Sequence, residues 1–126
     1  MEGTLIFDGG CGFCTRSRNL LRRLDRHGRI RITPYQQPGV TERTGLTREQ
    51  LAAAVWWIGA DGARYRGAAA VNHALSAALG TRLPVALYRL PIIRELQDWI
   101  YRLISTNRHR LPGAVPHCTS HPNACD

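Results

Sequence analysis

The 126-residue chain contains no lysine. All seventeen of its basic residues are arginine, set against nine acidic ones for a net charge of +8. No uninterrupted apolar run approaches the ~18–20 residues that cross a bilayer. The opening MEGTLIFDGG carries an acid at position two and a four-residue apolar run, short of the ~7–15 residues of a secretory h-region. No internal repeat and no glycine-rich dinucleotide loop is present. These absences argue against a membrane span, a secretory leader, a solenoid and a dinucleotide-dependent enzyme, and they make a cytoplasmic protein the expectation.

What is there suits a folded domain. The composition is 44% apolar and 21% charged, and the length suits one domain with a single modest core. An arginine excess favours acidic partners or a plain solvated surface. The arginines are scattered rather than gathered into one run, so nucleic acid is not an expected partner. In a reducing compartment, four cysteines point to catalysis, sensing or metal rather than to a disulfide framework.

Periodicity supplies an element order. TLIF (Thr4–Phe7) reads as a buried strand ending at Gly-Gly. CGFCTRSRNLLRRLDRHG has helical spacing, with Phe13, Ser17, Leu20, Leu21 and Leu24 on one face and Gly28 as a stop. RIRIT is a second strand closed by Pro34, and PYQQPGVTERTG is a polar loop. Thr47 suits the N-cap of a short helix, and VWWI is the third strand. Asp61-Gly62 predicts a hairpin turn that pairs Ala63–Arg66 back antiparallel. AAAVNHALSAALG is a helix stopped by Gly80.

That order, βαβ followed by ββα, is the one used by the three-layer thioredoxin-like α/β fold. Residues 1–82 would form this core. Residues 83–111 would form a helical extension packed on the same domain, broken at Pro91. Its stripe of Ile92, Ile93, Leu96, Trp99, Ile100, Leu103 and Ile104 either covers a neighbouring element or rests on a membrane surface or membrane protein. Residues 112–126 would be an irregular tail containing Cys and His.

The chemistry centres on FDGGCGFC. A Cys-x-x-Cys at a strand-to-helix junction puts its first sulfur where unpaired N–H groups and the helix dipole stabilise a thiolate. Projected at ~100° per residue, Cys11 turns toward solvent and Cys14 toward the apolar face. Cys11 is therefore the expected nucleophile and Cys14 the resolving thiol. Gly12 removes bulk beside the pair, and Phe13 points toward core or substrate groove; both are candidate substrate contacts. Asp8 either accepts the Cys14 proton or ties down the Gly9-Gly10 turn through backbone hydrogen bonds.

Two rival readings of the pair stay open, zinc and inert thiols. His117, Cys118, His121 and Cys125 could complete a tetrahedral site with the pair, bind metal among themselves, or close a Cys118–Cys125 disulfide. A basic, non-catalytic interaction module built on such a site is the alternative function, and an exposed Trp56 or Trp57 would support it. A phosphatase reading of LIFDGG fails because position ten is Gly, where a second carboxylate is needed.

LIFDGGCGFC resembles the signature of the DCC family of thiol-disulfide oxidoreductases, whose Asp-x-x-Cys-x-x-Cys motif falls here on Asp8, Cys11 and Cys14. GARYRGAAAV, the RLP before the last helix and WIYRLISTNRHRL extend the resemblance over most of the chain. The resemblance implies a thioredoxin-like fold and dithiol–disulfide exchange with no bound cofactor. The implied partners are a disulfide-containing protein or low-molecular-weight thiol and a reductant system. LAAAVWWI lacks the proline that thioredoxins carry before the third strand, so substrate backbone would be held some other way.

Overall fold

Residues 2–111, 113 and 115–121 are described in a computed structural model of the chain. Four strands form one sheet in the order β2-β1-β3-β4. β1 (Gly3–Phe7) runs parallel to β2 (Ile30–Pro34) and antiparallel to β3 (Trp56–Gly59). β4 (Arg64–Arg66) closes the far edge antiparallel to β3. The hairpin between them turns at Gly62 (φ +87°), with Asp61 Oδ1 accepting from Ala63 N at 3.1 Å. The topology is mixed α/β and consistent with a thioredoxin-like fold.

Helices cover both sheet faces, and the alternation of strand side chains decides who meets whom. On one face, α1 (Gly12–Leu24) and α4 (Ala68–Leu79) bury Leu5, Leu21, Trp57, Ala70, Ala74 and Ala77. On the other, α2 (Val40–Thr44) and α3 (Arg48–Ala53) bury Ile6, Val40, Leu46, Leu51 and Trp56. Both tryptophans are therefore interior, which corrects the reading in which one of them faces solvent. A sheet sandwiched between helices has no wet face, and Trp56 Nε1 finds its acceptor at Gln50 O, 2.8 Å away. The feature that would have supported a nucleic-acid-binding module is absent from both positions.

Several boundaries differ from the sequence expectation for local reasons. α1 stops at Leu24 rather than running to Gly28, because Asp25 accepts from Arg29 N and Ile30 N (3.0 Å each) and turns the chain into β2. The loop after β2 contains α2, bracketed by left-handed Gly39 and Gly45. α3 opens on a Thr47–Gln50 capping box, which satisfies two helix-end donors.

After α4 come α5 (Leu83–Tyr88) and α6 (Pro91–Asn107), followed by a 3₁₀ turn at Arg108–Arg110. α6 buries none of its residues fully, and Ile92, Leu96, Trp99 and Leu103 lie exposed. Polar ties hold it: Tyr101 Oη accepts from Val55 N at 3.1 Å, and Gln97 Oε1 accepts from Asn72 Nδ2 at 2.6 Å. No helix of the described residues is long and apolar enough to cross a membrane. The tail is not wholly irregular, since His117–Ser120 forms the short helix α7.

Trp57 sits 3% exposed against the Gly3 backbone, where a Cβ would fall 2.5 Å from its ring. Trp57→Ala is expected to cost about 3–5 kcal/mol, the usual range for truncating a buried aromatic. Trp99→Ala, removing an exposed ring, should stay within about 0.5 kcal/mol. Urea unfolding midpoints of the two variants check the contrast.

Candidate active site

The end of β1 feeds a tight turn. Cys11 N donates to Asp8 O at 3.2 Å. Asp8 Oδ1 accepts from Gly10 N (2.9 Å) and from Gln36 Nε2 (2.8 Å), and Gly9 N donates to Gln36 Oε1 at 3.0 Å. The Gln36 amide thus clamps the turn from the loop that follows β2. Asp8 is a short acceptor of the kind that stabilises its own turn two residues on.

From that turn Cys11 becomes the N-cap of α1, with extended backbone (φ −108°, ψ 122°) and its Sγ accepting from Cys14 N at 3.3 Å. Both cysteines are free thiols. Their exposure is the reverse of the helical projection: Cys11 is 1% exposed, whereas Cys14 is half-buried and opens on a cavity. The projection fails because Cys11 stands outside the helix, where ~100° per residue does not apply. Chain from the C-terminal segment also packs against the motif. Gly113 rests on the Gly12–Phe13 peptide with no space for a Cβ, His117 N donates to Thr15 Oγ1 at 3.0 Å, and Cys118 N donates to Gly9 O at 2.9 Å. Gly12 therefore faces the chain's own tail.

Arg108, 94 residues further along, completes the site. Its Nη2 lies 3.0 Å from Asp8 Oδ2 and its Nη1 donates to Cys14 Sγ at 3.8 Å. Burial pushes the Cys14 thiol up to about 12, assisted by its contact with Cys11, the Cys11 charge and the Asp8 carboxylate, and Arg108 alone pulls it down. Burial lowers the Arg108 guanidinium, but the charges of Cys14, Asp8 and Cys11 outweigh it and hold the cation firmly protonated.

Cys14 and Phe13 line one end of a cavity of about 480 Å³ between α1, α4 and α6. Its walls are apolar, including Leu5, Leu21, Val55, Ala74, Ile100 and Ile104. Such a volume lies within the range of small-molecule sites. Ile100 and Ile104 line the cavity from α6 while staying 39% and 37% exposed, and Ile93 is the half-buried member of the stripe.

The candidate metal set divides. Cys125 lies outside the described residues, so the Cys118–Cys125 pairing and the four-residue tail site fall there too. Cys118 is disulfide-bonded and in that state has no thiolate for a metal. His117 is 8% exposed, edge-on to Phe7 and stacked on His121. Burial and the nearby Arg18, His121 and Arg22 lower its pKa and favour the neutral ring. Among the described residues, no group of three or more His, Cys, Asp or Glu is placed to hold a metal ion. No peptide bond among them is cis.

Sequence reasoning missed Gln36 and Arg108. Gln36 stands in an unremarkable polar loop. Arg108 belongs to the NRHRL stretch that carried part of the family resemblance, but nothing local assigned it a partner. No curated protein and no solved structure matches the chain. A family model does match residues 5–114, spanning the cysteine motif, the cavity walls and Arg108, and its description is DCC1-like thiol-disulfide oxidoreductase. With two free thiols at the N-terminus of α1 and that match over most of its length, the chain belongs to the DCC1-like thiol-disulfide oxidoreductases.

Proposed function

We propose that Cys11 is the attacking thiolate of a dithiol–disulfide exchange and Cys14 the resolving thiol. The observation that carries this assignment is the Cys14 N–H directed at Cys11 Sγ from the first turn of α1. Negative charge on Cys11 gains that hydrogen bond and the helix N-terminus, while the proton stays on the high-pKa Cys14 thiol.

The cycle follows from these two environments. Cys11 Sγ⁻ attacks one sulfur of a disulfide, the other sulfur leaves as thiolate, and a mixed disulfide forms. Cys11 then no longer carries charge or accepts from Cys14, so two influences that raised the Cys14 thiol disappear. Arg108 remains, and it stabilises the Cys14 thiolate that attacks Cys11 Sγ and releases the second thiol. Cys14 is thereby held silent until Cys11 has reacted. Asp8 acts mainly through its hold on the turn and on Arg108 Nη2; a direct role in accepting the Cys14 proton would have to work past that cation. A reductant, such as a low-molecular-weight thiol of the cytoplasm or a partner reductase, restores the pair.

The test is the pH dependence of iodoacetamide alkylation of the reduced, chelator-treated protein, read cysteine by cysteine. Cys11 is expected to be alkylated ahead of Cys14, which should react only at much higher pH. If the two are alkylated alike at every pH, or stay protected until metal is stripped, the assignment is wrong.

A further inference from the structure

We propose that Cys118 is a third redox residue, the internal partner with which Cys11 exchanges disulfides. The inference rests on the Cys11/Cys14 reading and extends it to the C-terminal segment.

The starting point is a conflict. An attacking thiolate must be reached by a disulfide, but Cys11 is 1% exposed. The sulfur brought to its turn belongs to the same chain. Cys118 N donates to Gly9 O at 2.9 Å, and Cys118 Sγ packs so closely on Gly9 that a Cβ there would lie 2.6 Å from it. Gly9 is two residues before Cys11, inside the turn closed by Cys11 N and Asp8 O. Glycine at this position leaves room for the sulfur. The segment leading to Cys118 is seated at two further points, by Gly113 against Gly12–Phe13 and by His117 N on Thr15 Oγ1. An adventitiously packed tail would not need a buried backbone-to-hydroxyl bond into the cysteine helix.

The redox states complement each other. Cys11 and Cys14 are thiols, and Cys118 is in a disulfide. Cys11 Sγ⁻ attacks Cys118 Sγ, the Cys11–Cys118 bond forms, and the sulfur formerly bonded to Cys118 leaves as thiolate. Cys14, deprotonated beside Arg108, attacks Cys11 Sγ; the Cys11–Cys14 bond forms and Cys118 leaves as thiolate. Two electrons pass from the buried pair to the tail, two protons follow, and no outside oxidant is consumed. Cys118 is only half-buried, so the reduced tail meets an outside protein disulfide where Cys11 does not. The same steps reversed carry oxidising equivalents inward.

The experiment uses the full chain carrying Cys14→Ser and Cys125→Ser, which keeps Cys11 and Cys118 alone. Reduced, diluted and given glutathione disulfide, it should yield a monomer about 2 Da lighter, the mass of the two hydrogens lost when one disulfide closes, and peptide mapping should join Cys11 to Cys118. Separate glutathione adducts on the two cysteines, or disulfide-linked dimers, would overturn the relay. A second variant, Cys118→Ala, leaves the Cys-x-x-Cys pair intact. It should slow single-turnover reduction of insulin by the fully reduced chain about tenfold or more, and an unchanged rate would overturn the proposal. Bis(2-hydroxyethyl) disulfide added to the reduced wild-type chain separates the two levels. If it closes Cys11–Cys14 while the Cys11–Cys118 link never forms, the relay is wrong and the pair's role stands. If it closes neither, the reading of the pair fails and the relay with it.

Discussion

Cys11→Ser should lower disulfide-exchange turnover by about 10³-fold or more, the scale on which removing the attacking group of a coupled set acts. A serine hydroxyl at the α1 N-cap would still accept the Cys14 N–H and preserve the helix start, so the loss would be chemical rather than structural. Cys14→Ser should be as damaging to turnover and different in kind. Cys11 would still attack, and with no resolving thiol the product would remain covalently attached. Non-reducing mass spectrometry should therefore find Cys11 joined to a substrate half or to Cys118 in Cys14→Ser. It should find no corresponding adduct on Cys14 in Cys11→Ser. The reverse pattern would exchange the two roles: Cys14, the sulfur that opens on the cavity, would be the one that attacks. Turnover undiminished in both variants would remove the pair from the mechanism altogether.

What the sequence could tell was set by how locally each feature is determined. The strand ending at Gly9-Gly10, the Thr47 cap, the Asp61-Gly62 turn and the break at Pro91 depend on a few neighbouring residues, and all appear where periodicity and turn chemistry put them. The cysteine motif is equally local. The environment of those cysteines is not. Cys11 is covered because residues about a hundred positions later fold back onto its turn. A helical wheel cannot report that, nor the fact that a capping residue stands outside the wheel. Trp56 and Trp57 show the same limit in another form. Alternation correctly sends them to opposite faces, but only the helices on both sides of the sheet decide that neither face is wet. The α6 stripe has helical spacing, yet most of its apolar residues remain outside the core because three polar contacts, through Tyr101, Gln97 and the Arg108 that follows, set how the helix sits.

Arg108→Gln should slow resolution of the mixed disulfide about ten- to a hundredfold near neutral pH, because an adjacent opposite charge shifts a titrating group by about 1–2 pKa units. The sign follows from the site: Arg108 is the influence that lowers the Cys14 thiol, against burial, Cys11 and Asp8, which raise it. Removing the cation raises that thiol further and shrinks the thiolate fraction at any pH below its pKa. It also leaves the Asp8 carboxylate, 12% exposed, without its 3.0 Å partner, which adds repulsion in the same direction. The rate of resolution, measured as thiol release from a preformed Cys11 adduct, should therefore rise with pH in both proteins, with the Arg108→Gln curve displaced to higher pH. Arg108→Lys keeps the charge but not the planar fork that reaches Asp8 and Cys14 together, and should recover part of the displacement. A purely structural role would instead lower the amplitude at every pH without moving the curve. Formation of the Cys11 adduct should respond much less, since Arg108 makes its contacts with Asp8 and Cys14, and Cys11 takes its hydrogen bond from the Cys14 backbone. That separation between the two half-reactions distinguishes a cation that times the second attack from one that merely strengthens the fold.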